Sequence, residues 1–134
     1  MKFNSSLVTY VISIGIIFFC FFFLVSVNII GFSVKEKCRL AQSKYGGDCA
    51  QALISYLDDE TNSFEKRNDA VWALGQLGDE RAMPVLEKYY SGDDGTDKKR
   101  SQALSQFELK RAMSYMQGNP NITTFFWRFG KGIE

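Results

Sequence analysis

The chain has 134 residues, 46% of them hydrophobic, and its 16 Lys and Arg against 15 Asp and Glu leave a formal charge of +1. All the acidic residues and all but one of the basic ones lie after position 34, so that part of the chain sums to zero. Such a neutral segment without a basic stripe is poorly suited to hold a polyphosphate backbone, which argues against nucleic acid. The absence of any His removes the commonest general base and metal ligand.

The chain opens on an apolar run. No charge occurs from Phe3 to Val34, and Leu7 to Ile30 is almost wholly apolar. As a helix, residues 7–30 would measure roughly 36 Å, enough to cross a hydrocarbon core of about 30 Å. Phe is concentrated here, at positions 3, 18, 19, 21, 22, 23 and 32, a composition suited to lipid more than to a packed core. A cleaved signal peptide is the competing reading, with Lys2 as its basic start and Gly31-Phe32-Ser33 as a small-x-small site. Signal h-regions, however, run to about 7–15 residues. The expectation is therefore a single-pass transmembrane anchor over 1–34 and a helical domain over 35–134.

Two signals for sidedness conflict. Lys35, Lys37, Arg39 and Lys44 follow the span, and the positive-inside bias would leave the domain in the cytoplasm. Against that, Cys38 and Cys49 form a candidate disulfide pair that would suit an oxidising compartment. The other reading of these two cysteines is as small buried apolar residues, and the side stays open.

After the span, residues 35–45 can form a helix that continues it or follows a short break. Gly46-Gly47-Asp48 then reads as a turn, and Ala50, Leu53, Ile54 and Leu57 recur at i, i+3, i+4, i+7 on the next helix. Asp58 to Asn62 is a polar loop, and Ser63 or Asn62 can cap the helix that follows. Residues 63–90 predict two antiparallel helices, one with Ala70, Ala73, Leu74 and Leu77 on its apolar face and one with Ala82, Val85, Leu86 and Tyr89. Between them Gly78 is placed to take the left-handed conformation past a helix end, and Asp79 to cap the next amides. Pro84 falls in the opening turns of the second helix, where the loss of an amide donor is expected to cost something.

The stretch Ala70-x-x-Ala73-Leu74-Gly75-x-Leu77-Gly78-Asp79-x-Arg81-Ala82-x-Pro84-x-Leu86 resembles one unit of the HEAT-like repeat family, in the variety also found in phycobilisome lyases. The resemblance implies an all-α fold of stacked helical hairpins, a short α-solenoid, and a role in binding other proteins rather than catalysis. Residues 35–58 fit a first repeat and 63–90 a second. Residues 97–117 are expected to be helical as a degenerate third, because Arg100, Ala103 and Phe107 echo Arg67, Ala70 and Leu74, and Arg111-Ala112-Met113 echoes Arg81-Ala82-Met83. Terminal repeats are often atypical because they close an open face. Gly118-Asn119-Pro120 stops that helix, and an aromatic tail occupies 121–134.

Candidate sites are few. Three scattered Cys without a CxxC make no zinc site. Asp93, Asp94 and Asp97 lack the spacing and the bidentate Glu of a calcium loop. The lyase side of the resemblance would imply a bilin-attaching thiol at Cys38 or Cys49, but no aromatic or acidic pocket can be argued around either. Asn121-Ile122-Thr123 fits a glycosylation sequon. Phe125, Phe126, Trp127 and Phe129, with Arg128 among them, either fold back over the last helix or form a contact surface for a partner or the membrane interface. Trp72, off the Ala70/Leu74 face, either packs on the neighbouring repeat or stands on an exposed ridge.

The expectation is a non-enzymatic, membrane-tethered interaction module with a protein partner, membrane contact through residues 7–30, and no cofactor, metal or small-molecule substrate. Its partner contacts would be Arg67, Trp72, Arg81, Phe125, Phe126, Trp127, Arg128 and Phe129. The alternative is a lyase-like accessory or chaperone factor acting on a chromophore-bearing or other partner protein.

Overall fold

The computed structural model describes residues 5–92 and 102–130, with side chains of the last helix described through Trp127. Its regular elements are helices: α1 (Ser5–Tyr45), α2 (Cys49–Asp58), α3 (Phe64–Leu77), a 3-10 turn (Glu80–Ala82) running into α4 (Met83–Tyr89), α5 (Gln106–Met116) and α6 (Ile122–Gly130).

Helix α1 is unbroken over 41 residues, roughly 60 Å at 1.5 Å per residue. It passes through residue 34 without a break, so the apolar segment and the first domain helix are one element. Its most apolar window is fully exposed within the chain, the property of a candidate membrane span. Further along, Val27, Val34, Cys38 and Ala41 are buried, spaced by seven, four and three so that they share one face. Helix α2 folds back along this face. Asp48 caps it by accepting from the Gln51 amide at 3.0 Å, and a disulfide ties Cys38 to Cys49 across the turn, with Cα atoms 5.0 Å apart. Ala50, Leu53 and Leu57 are buried and Ile54 is half-buried.

Helix α3 lies at the centre, packed against α2, α5 and the distal part of α1. Ser63 supplies its N-cap. Ala70, Ala73 and Leu74 are buried and Leu77 half-buried. At its end Gly78 takes φ 60° and donates its N–H to the Leu74 carbonyl at 2.8 Å, a left-handed cap that a Cβ would disfavour. Asp79 then caps the 3-10 turn by accepting from the Arg81 amide at 3.0 Å. The cost expected at Pro84 does not arise. The 3-10 turn occupies the position of the expected first α-helical turn, α4 begins at Met83, and Pro84 falls at its start, where a backbone N–H has no intrahelical acceptor to lose.

Pairwise contacts give the helix directions. Lys37 meets Asp69 at 2.8 Å and Lys44 meets Asn62 at 2.8 Å, so α1 and α3 run antiparallel. Asn68 bonds Ala103 and Ser105, while Gly75 faces Ala112, so α3 and α5 run parallel. The Gly75 contact is very close: a Cβ there would sit 3.0 Å from the Ala112 Cα. A side chain larger than hydrogen would push the two helices apart.

The third unit differs from its expectation. Residues 97–101 lie outside the described residues, and 102–105 are not helical. Helix α5 begins only at Gln106. The Asn68 amide donates to the Ala103 carbonyl at 2.9 Å, and its oxygen accepts from the Ser105 N–H at 2.7 Å. This bidentate bond from a fully buried side chain holds 103–105 outside the helix, and Ser105 caps α5 by accepting from the Glu108 amide. The echo of Ala70 and Leu74 by Ala103 and Phe107 therefore fails: Ala103 is in the loop and Phe107 is 64% exposed. The buried face of α5 is Leu109, Ala112, Met113 and Met116.

Helix α6 does not close over α5. It returns to α1, where Trp127 lies over Gly31 and Phe126 meets Phe23 edge-on at 5.1 Å between ring centroids.

Candidate interaction surface

The residues expected to form one contact face do not assemble into one. Arg67 is 5% exposed. Its Nε donates to the Leu57 carbonyl at 2.8 Å, satisfying a last-turn acceptor of α2, and its guanidinium lies 4.9 Å from the centre of the Tyr89 ring. It is a structural clamp between α2, α3 and α4, which corrects its assignment as a partner contact. Its Nη2 is buried with no hydrogen-bond partner among the described residues.

Trp72 is half-buried and packs against the core. Arg81 is exposed but engaged. It pairs with Asp48 at 2.8 Å and with Asp79 at 2.7 Å, joining the N-cap of α2 to the N-cap of the following 3-10 turn. The Arg81 guanidinium holds both carboxyls below their ordinary value. Trp127 is 5% exposed against α1, and its Nε1 has no hydrogen-bond partner among the described residues. Phe125 and Phe126 are exposed. The side chains of Arg128 and Phe129 lie outside the described ones. The aromatic segment thus packs on the apolar helix and not on α5.

Sequence reasoning passed over three features. A polar network closes the far end of α1: Lys44 pairs with Asp59 at 3.1 Å, Tyr45 donates to Asp59, and Asn62 donates to the Tyr45 hydroxyl and the Tyr56 carbonyl at 2.9 and 2.8 Å. Thr61 and Tyr45 hold the Asp59 carboxyl far below its ordinary value. A second ion pair, Lys88 to Asp58 at 2.6 Å, is joined by the Tyr89 hydroxyl at 2.9 Å; Lys88 and then Tyr89 lower the Asp58 pKa. These scattered, distant partners left no local signal. The third feature did leave one. Exposed Phe64 and Phe107 lie in the first turns of α3 and α5, one and two residues after the capping residues Ser63 and Ser105, and Ser105-x-x-Glu108 has the spacing of a capping box.

Among the described residues, no group of three His, Cys, Asp or Glu is placed to hold a metal. A concave apolar groove of about 570 Å³ runs between the ends of α3 and α5 and the start of α6, lined by Gly75, Tyr115, Pro120, Ile122 and Phe125 among others.

Residues 66–92 match the PBS lyase HEAT-like repeat. The match covers α3 from Lys66 onward, the 3-10 turn and α4. HEAT-like repeats generally serve as protein-interaction modules. No curated protein and no solved structure matches the chain.

Proposed function

We propose that this chain is a membrane-tethered, non-enzymatic protein–protein interaction module, a short α-solenoid of HEAT-like hairpins serving as a small subunit of a membrane assembly. The observation that carries this reading is the continuity of α1 from Ser5 to Tyr45. Its first half exposes apolar side chains, and its last third supplies buried Val34, Cys38 and Ala41 to the domain core. A rigid root of this kind would hold the repeat at fixed height above a bilayer and raise its effective concentration for membrane partners.

The partner surface is the membrane-distal rim. Because α3 runs antiparallel to α1, its first residues lie at the far end of the domain, and parallel α5 begins at that same end. Exposed Phe64 and Phe107 stand there, with the Arg111 guanidinium 5.5 Å from the centre of the Phe107 ring. Aromatic and Arg side chains are the types enriched at interface centres. The Cys38–Cys49 disulfide favours the oxidising side of the membrane, and it withdraws the free thiols that a lyase-like accessory role would use.

Two experiments test the reading. A membrane-impermeant maleimide applied to intact cells should label Cys38 and Cys49 only after reduction; labelling that needs lysis and no reductant would place the domain in the cytoplasm. A photo-crosslinking residue at Phe107 should capture a discrete protein adduct in native membranes. Adducts from exposed Gln51 but not from position 107 would refute the rim assignment, and adducts from neither would refute the interaction module.

A further inference from the structure

Helix α6 carries two faces that part cleanly. Thr124 and Trp127 are buried, Thr124 within 3.3 Å of Gln76 Oε1 and Trp127 against Gly31. Ile122, Phe125 and Phe126, at i, i+3 and i+4, are 67%, 60% and 46% exposed. A stripe of this spacing is one face of an amphipathic helix. It does not stand alone. It is continuous with the exposed apolar surface of α1, where Phe126 joins Leu24, Asn28 and Phe32 around one recess with Lys35 also in its lining, and Leu24 and Phe32 are themselves exposed.

The height of this contact is informative. The apolar run of α1, residues 7–30, is about 6 Å longer than a 30 Å hydrocarbon core requires. Helix α6 meets α1 between Phe23 and Gly31, which straddles the end of that core. The first charge, Lys35, follows one turn later, and Ser26, Asn28 and Ser33 mix polar groups into the same stretch. This is the composition of a water–lipid boundary.

From this juxtaposition, and resting on the tethered reading above, we infer that α6 is an interfacial membrane helix: it lies at the lipid–water boundary with Ile122, Phe125 and Phe126 in the outer acyl region, and it braces α1 against tilting. The occupant of the stripe is the bilayer. Interfacial helices bury an apolar face about 5–10 Å deep, which the stripe's place beside Leu24 and Phe32 matches.

The test uses the full chain in phosphatidylcholine liposomes, oxidised, with Cys20→Ser to leave one labelling site. Phe125→Cys and, as a solvent-exposed control on α5, Lys110→Cys are each labelled with bimane. The expected result is strong quenching of the position-125 label by lipids brominated at the upper acyl carbons, and aqueous iodide quenching lower by about an order of magnitude than at position 110. Equal iodide quenching at both positions overturns the inference. So does protection from iodide without quenching by bromolipid, which would assign the stripe to a protein or to a second copy of the chain. Flotation after alkaline extraction separates the two levels. A chain that floats with an iodide-accessible position 125 loses only the interfacial helix, and a chain that does not float loses the tether and the inference together.

Discussion

Helices α3 and α5 are parallel neighbours with the same buried pattern and opposite endings. Ala70, Ala73, Leu74 and Leu77 in one correspond to Leu109, Ala112, Met113 and Met116 in the other, at i, i+3, i+4, i+7. At the end of α3, Gly78 turns the chain at once and Asp79 caps the 3-10 turn that runs into α4, which packs on α5 and α2. At the end of α5, Gly118 takes φ 92° and Asn119 donates back to the Ser114 carbonyl at 3.2 Å, but Pro120 follows and the chain leaves for α1. The residues that follow α5 therefore make no return along it and instead fasten α6 to the apolar helix, through Trp127 on Gly31 and Phe126 on Phe23.

The comparison breaks most sharply at the two positions that sequence echo had equated, Leu74 and Phe107. Leu74 is fully buried and Phe107 is 64% exposed. Leu74→Ala should cost about 2–5 kcal/mol of unfolding free energy, the range for truncating a buried Leu, while Phe107→Ala should stay within about 0.5 kcal/mol as a surface change. Denaturant unfolding of the full chain reads both. Comparable losses would mean that Phe107 is core and the rim surface does not exist.

A smaller effect is expected from the residue that joins the two helices. Asn68→Ala would leave the Ser105 N–H and the Ala103 carbonyl without their bidentate partner, at a cost of roughly 1–3 kcal/mol for buried polar groups. The loss should be local to one helix. Amide exchange should quicken across 103–109 while α3 keeps its protection. Uniform loss of protection would show that α5 has no separate docking step.

Much of the central hairpin was legible in the sequence because its signals are local. A 3.6-residue apolar period, Gly78 and Asp79 all act within a few residues of themselves. What was illegible depends on distant groups. Nothing near Asn68 announces that its amide will fix residues 103–105, so the non-helical stretch before α5 read as helix. The long stem of Arg67 looked like surface, although it reaches back to the Leu57 carbonyl. Leu109, Ala112, Met113 and Met116 did carry the right period, and the tempting match of Phe107 to Leu74 hid it. Trp127 could not be placed, because its partner Gly31 lies almost a hundred residues earlier, inside the apolar span.

The smallest effect sharpens the comparison at its turns. Only the α3 turn is joined to the preceding hairpin by an ion pair among the described residues, through Arg81 to Asp48 and Asp79. Both carboxyls are held below their ordinary value, chiefly by hydrogen bonds from Arg81. A depressed folded-state pKa means that the contribution is fully present above the unfolded carboxylate pKa, near 4, and is lost as pH falls through the folded values. Arg81→Gln should therefore be slightly less stable than the parent at pH 7, and the gap should close as pH is lowered from about 4 towards 2. Because these groups are exposed, added salt should shrink the gap at neutral pH as well. Urea unfolding of both chains across that range decides the matter. A gap that ignores pH and salt would mean that Arg81 acts through the packing of its aliphatic stem, and the two turns would then differ in shape alone.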